Sequence, residues 1–252
     1  MRTFSLCLGM AFATAGAAVA QPLPAGVDSQ IASIAAGSSC AARNWRDRGR
    51  APVGYIKGMA LVYAKSYCEL RRGTGTAVAV MAQPLGGAGS DALAWYGLPG
   101  GTAIDRLRGV YNLAIGLGMR ESSGNTTEGR DTTVAHPTAA NAEAGLFQTS
   151  FDSFGKSPLF PGLFSEYAAA PAACRLATFR QGARDLRRPL VGSGPGADYQ
   201  RSIKECPALA AEYVMIMLRI DRAHFGPINR QEAEFSTACE AMLKRVEAAS
   251  GC

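Results

Sequence analysis

The chain has 252 residues, 48% of them hydrophobic and 18% charged, with a formal net charge of +6. That apolar share can bury a core and excludes a wholly disordered chain. The positive charge favours anionic polymers without singling out nucleic acid, and with only His136 and His224 and no H-E-x-x-H, a zinc hydrolase built on several histidine ligands is not expected.

Residues 1–20 (MRTFSLCLGMAFATAGAAVA) have the three parts of a secretory leader: Arg2, an uncharged apolar run from Phe4 to Val19, and Ala18-Val19-Ala20 before Gln21. The run is short for a membrane span, and no later stretch of about 18 apolar residues occurs. A secreted or periplasmic protein without a membrane span is therefore expected. Cys7 leaves with the leader, and Cys40, Cys68, Cys174, Cys206, Cys239 and Cys252 remain. An even cysteine number in an exported chain predicts disulfides, whose pairing the spacing does not choose. Geometry argues against one pair. A last helix from Cys239 to Ala249 would span about 15 Å. The residues after it, with a reach of roughly 10 Å, would have to double straight back to join Cys239 to Cys252.

Residues 21–54, rich in Gly, Pro, Ala and Ser, read as a loosely ordered arm carrying a basic cluster at Arg43, Arg46, Arg48 and Arg50. The spacing of Tyr55, Met59, Val62, Tyr63, Tyr67 and Leu70 predicts a helix over 55–72, stopped by Gly73. Ser90 is the expected cap of a short helix ending at Tyr96, before the turn Leu98-Pro99-Gly100-Gly101. Thr102 and Asp105 form a capping pair. Behind them Ile104, Leu107, Tyr111, Ala114, Ile115, Gly118 and Met119 line one helical face up to Arg120 and Glu121. Residues 124–143 read as a long polar loop or small β excursion, and 158–170 and 174–188 as short helices, with a flexible loop at Gly192 to Gly196. An apolar helix is predicted over 207–225, stopped by Gly226-Pro227, and a last one capped by Asn229 and Glu232 with Phe235, Cys239, Met242 and Val246 inward. No internal repeat or second-domain linker is evident. The expected fold is mainly α, with α+β as the alternative, in a single domain over 55–252.

The chemistry concentrates between Gly118 and Ser150. Glu121-Ser122 ends an amphipathic helix, a polar loop follows, and Gly145-Leu146-Phe147-Gln148 returns. In this order and spacing the two motifs resemble the lysozyme-like fold of goose-type lysozymes and soluble lytic transglycosylases. There a helix carries Glu-Ser into a sugar cleft and a Gly-Leu-Met/Phe-Gln segment lies beside it. The resemblance implies that Glu121 is the general acid and that Ser122, Gly145, Phe147 and Gln148 border the substrate, with Tyr213 a candidate for the far wall. The substrate it implies is peptidoglycan, or a related N-acetylated polysaccharide such as chitin, cleaved at a β-1,4 bond by a monomeric enzyme with no metal or cofactor.

A glutamate suits this task. Cleaving a glycosidic bond needs a proton delivered to a poor leaving oxygen. A carboxyl at a helix end among apolar residues is partly desolvated, and the partial negative charge of the helix C-terminus also raises its pKa. A hydrolase adds a second carboxylate about 5 to 9.5 Å away. Glu128, Asp131, Glu143 and Asp152 are candidates, and Asp131, on the bordering loop, is preferred. Goose-type enzymes carry an aspartate two residues beyond the glutamine, whereas this chain has Ser150 there. Transglycosylases manage with the glutamate alone, so both mechanisms stay open. The rival from another class is a non-catalytic wall- or glycan-binding protein on the same fold.

Other matches are weak. Ser153-Phe154-Gly155-Lys156 fits S-x-x-K but lacks the companion S-D-N and K-T-G triplets. Asn125-Thr126-Thr127 is a glycosylation sequon that would place a glycan beside the proposed cleft, and is read as chance. No G-x-S-x-G or phosphate-binding loop is present.

Overall fold

A computed structural model describes residues 23, 26–129, 135–184, 186 and 189–252. The leader read at 1–20 and Asp131 lie outside them. The described chain is mainly α. Helix α1 (Val27–Ala36) and the short α2 (Ser39–Ala42) precede an antiparallel ladder of β1 (Asn44–Trp45) and β2 (Gly49–Arg50), followed by α3 (Val53–Arg72). The single-turn helices α4 (Val78–Met81) and α5 (Ala92–Trp95) lead to α6 (Ala103–Ser122). Beyond the polar loop come α7 (Phe160–Ala169), α8 (Leu176–Phe179), α9 (Pro195–Glu205), α10 (Pro207–Ile220), α11 (Gly226–Asn229) and α12 (Thr237–Ala249).

Helix α10 sits at the centre and touches α3, α4, α6, α7 and α9. Every residue from Pro207 to Arg219 is buried, as expected of a helix that is apolar on all sides. Its one inward cation, Arg219, is fully satisfied. The guanidinium meets both Asp91 carboxylate oxygens at 2.9 and 3.1 Å and the carbonyls of Met81, Gln83 and Pro84. The sequence periods of α3 and α6 hold, and Gly73 closes α3 in the left-handed conformation. Thr102 and Asp105 form the complete capping box of α6. The two long helices meet where the Tyr55 hydroxyl donates to the Ile115 carbonyl at 2.8 Å. Gly118 permits this approach, since a Cβ there would stand 2.4 Å from that hydroxyl oxygen.

Several expectations need correction. The segment read as a loose arm forms α1, α2 and the ladder; Ile31 and Ala35 of α1 are buried, and α1 lies against α3 and α12. Such a helix draws its stability from packing more than from composition. The ladder precedes α6, whereas the expected β excursion after α6 is, among the described residues, one isolated bridge between Ala144 and Thr149. Asp91, not Ser90, caps α5. Ser236, not Asn229 or Glu232, caps α12, and Phe235 lies before that helix. Of the helix predicted over 174–188, the described residues hold only α8, after which Gly182 turns the chain at φ 73°; residues 185, 187 and 188 lie outside them. Helix α10 stops at Ile220, well before Gly226. Pro195, read within a flexible loop, starts α9.

Three disulfides close the fold: Cys40–Cys239, Cys68–Cys252 and Cys174–Cys206. Cys239 thus pairs away from Cys252, as the geometry of the last helix required. Among the described residues no helix is long and apolar enough to cross a membrane.

Candidate functional site

Helix α6 ends in a left-handed turn at Ser123 (φ 54°) and Gly124 (φ 76°), whose N–H groups donate to the Met119 and Gly118 carbonyls. Glu121 occupies this last turn and is partly buried. Its neighbour Ser122 is buried, and its hydroxyl faces the Gly118 carbonyl at 3.1 Å and the Leu146 carbonyl at 2.8 Å. The same oxygen accepts from the Asn125 N–H at 3.1 Å. Ser122 therefore pins the helix end to the returning segment, and the two sequence motifs meet in space.

The return is a tight loop closed by reciprocal Ala144 and Thr149 backbone bonds of 3.0 and 3.3 Å. Gly145 (φ 71°) needs its missing side chain twice over, because a Cβ would lie 2.8 Å from Ile203. Its N–H donates to the Glu128 carbonyl at 3.0 Å. Gln148 also takes positive φ (48°), and its amide donates to the Gly145 carbonyl at 2.8 Å. Leu146 and Phe147 are fully buried, Phe147 beneath Gly118, so Phe147 supports the loop from inside. Tyr213 is likewise a core residue rather than a wall. It is fully buried, stacked on Phe160 at 4.0 Å, with its hydroxyl 2.7 Å from Ser153 Oγ. Tyr199 reaches the return instead, donating to Thr149 Oγ1 at 2.8 Å.

Glu121 makes no hydrogen bond or ion pair to a described residue, and its surroundings raise its pKa. Burial is the main cause, the nearby Glu143 carboxylate adds to it, and Arg48, Arg230 and Arg120 oppose it; the result is pushed up to about 8. Glu143 is thus the carboxylate the fold brings into electrostatic reach of the acid. Sequence reasoning ranked it below Asp131, although its place directly before Ala144-Gly145 was a usable signal. Asp152 is exposed.

The three guanidiniums come from separate parts of the chain: Arg120 from α6 itself, Arg230 from just after α11, and Arg48 from the turn between β1 and β2, in the segment read as a loose arm. Asp47, at the tip between β1 and β2, lies 3.8 Å from Arg120, and Arg120 also meets Glu232 at 3.3 Å. Arg230 binds Glu232 at 2.9 Å. Glu234 holds the ladder from below, meeting the Arg43 guanidinium at 2.5 Å and the Arg46 N–H at 2.8 Å.

The weaker motifs dissolve. Lys156 pairs with Asp221 at 3.1 Å, while Ser153 bonds Ser150 and Tyr213. Asn125 of the sequon is buried, with its amide donating to Ser122 O and accepting from Arg184 N–H. Among the described residues no group of three or more His, Cys, Asp or Glu is placed to hold a metal ion. Two grooves, of about 560 Å³ beside Tyr167 and Leu176 and about 290 Å³ beside Leu98 and Phe235, do not include Glu121.

No family model, curated protein or solved structure matches this chain.

Proposed function

We propose that the protein is an exported enzyme that cleaves the β-1,4 glycosidic bond of peptidoglycan, with Glu121 as general acid. The observation that carries the reading is the junction of Glu121-Ser122 with the returning Gly145–Gln148 loop through the Ser122 hydroxyl, with a proton-retaining carboxyl beside it. A group whose pKa lies near the operating pH is suited to give up a proton at the transition state and take one back. Glu143 helps by like-charge repulsion, which keeps the proton on Glu121 until the leaving oxygen claims it. Gln148, its amide oriented by Gly145, is the candidate partner for an N-acetyl or hydroxyl group of the sugar. The three disulfides support an oxidising compartment, and the residue 1–20 leader supports export. Asp131 and Glu143 are the two candidates for a second carboxylate.

The test is turnover of purified peptidoglycan by wild type and Glu121→Gln. Loss of the acid is expected to lower the rate by about 10²–10⁴-fold. Equal rates in the two proteins would refute the assignment, and failure of both to cleave while still binding the wall would favour the binding module. Mass spectrometry of the products separates the mechanisms: 1,6-anhydro ends mean transglycosylation, in which Glu121 acts alone. Reducing ends mean hydrolysis, in which case Asp131→Asn and Glu143→Gln identify the second group.

A further inference from the structure

The basic cluster at 43–50 has a place in the fold that its composition did not reveal. Strands β1 and β2 form a small hairpin that Glu234 holds at Arg43 before the first strand and at Arg46 in the turn, and whose tip meets the last turn of α6 through Asp47 and Arg120. Arg48 stands on this tip, next to Asp47. Of the three guanidiniums around Glu121 it acts most strongly on that carboxyl.

The three differ in their partners. Arg120 is engaged by Glu232 and Asp47, and Arg230 by Glu232. Arg48 is exposed, and among the described residues its side chain has no hydrogen bond or ion pair. Nor does Glu121 serve as its counter-ion near neutral pH, because a carboxyl that titrates at about 8 is then mostly protonated. The carboxylates facing this corner are Glu121 and Glu143 near the acid, Asp47 on the hairpin, and Glu232 and Glu234 opposite. None of them pairs with Arg48. An arginine held this way, on a docked hairpin beside an acid, presents a free fork to a planar anion.

We infer that Arg48 is a specificity-determining residue that binds a carboxylate carried by the glycan, selecting muramoyl chains over neutral N-acetylglucosamine polymers. This rests on the glycan-cleaving reading above. The carboxylate has two sources, the free lactyl group of a muramic acid residue without a stem peptide and, where a stem is joined to that group as an amide, the carboxylates of the peptide itself.

The experiment measures kcat/KM on peptide-free muramoyl strands with free lactyl carboxyls and on the same strands after carbodiimide amidation. A second pair keeps the stem peptides. Arg48→Gln is expected to lower the ratio of free to amidated substrate by roughly tenfold, the loss of one charge-assisted hydrogen bond. Arg71→Gln, an equal charge change at the exposed end of α3, leaves that ratio as it is in wild type. A fall confined to the peptide-bearing pair assigns the stem carboxylates, and a fall in the peptide-free pair assigns the lactyl group. An unchanged ratio in Arg48→Gln, or the same fall in Arg71→Gln, overturns the inference while leaving the enzyme reading intact. A wild type that cleaves no strand of either kind overturns both.

Discussion

Glu121 makes the fold sensitive to pH in a direction opposite to that of most surface carboxylates. Its pKa rises from an ordinary 4.5 to about 8 because burial disfavours the charged form. The native state therefore holds this proton more tightly than the unfolded chain. The associated stability is fully present below about 4.5 and is lost as pH rises through about 8, at up to about 1.4 kcal/mol per pH unit. Glu121→Gln carries no such slope. Melting curves of the two proteins are expected to coincide near pH 4, to diverge from about pH 4.5 with the variant higher, and to run parallel again above about pH 8; coincidence from pH 4 to 8 would show that the carboxyl is solvated. The helix end at Glu121 and the turn at Gly145 were readable in the sequence because a helix stop and a glycine turn are local signals. The nearness of Glu143 and Arg48 to Glu121 was not readable. Arg48 owes its place to Glu234, which comes from the far end of the chain.

The same distinction holds for elements. Capping residues and apolar periods revealed α3 and α6 almost to their ends, since both depend on neighbours within one or two turns. Helix α1 went unread because Ala, Ser and Gly carry little period, and only packing against α3 and α12 makes it a helix. Equally hidden was the charge cluster joining three helices behind the core. Lys65 of α3 lies 3.0 Å from Glu69, 3.3 Å from Glu166 of α7 and 3.0 Å from Glu212 of α10, all four side chains being nearly or fully buried. Ser66 donates to Glu212 and Thr76 to Glu166, both at 3.1 Å. One cation among three carboxylates leaves an excess of negative charge. Burial and then Glu212 push Glu69 up to about 7, against the pull of Lys65. Lys65→Met strands three acids in an apolar interior and is expected to cost roughly 3–5 kcal/mol in denaturant unfolding at pH 7. A loss below about 1 kcal/mol, no more than a surface pair is worth, would mean that water reaches the cluster.

At the scale of the whole molecule the mainly α class followed from the apolar periods, whereas the pairing of the cysteines depended on which helices come together. Two of the bonds join the first part of the chain to its last helix region, with sequence separations of 199 and 184 residues. The third closes a separation of 32 residues across α8 and α9. In the chain-entropy picture such closures stabilise by restricting the unfolded state, about 3 kcal/mol for short loops and nearly 5 for long ones. Full reduction is therefore expected to lower the melting temperature sharply. Retention of the native melting temperature in reductant would show that packing alone sustains the fold.

The two long closures have a practical corollary. Proteolysis at a single peptide bond anywhere between Cys68 and Cys239 yields two pieces that stay covalently married, so a clipped molecule runs as one band on an oxidising gel and falls apart only when thiol is added. One cut of the backbone in that range therefore need not scatter Glu121 and its returning loop.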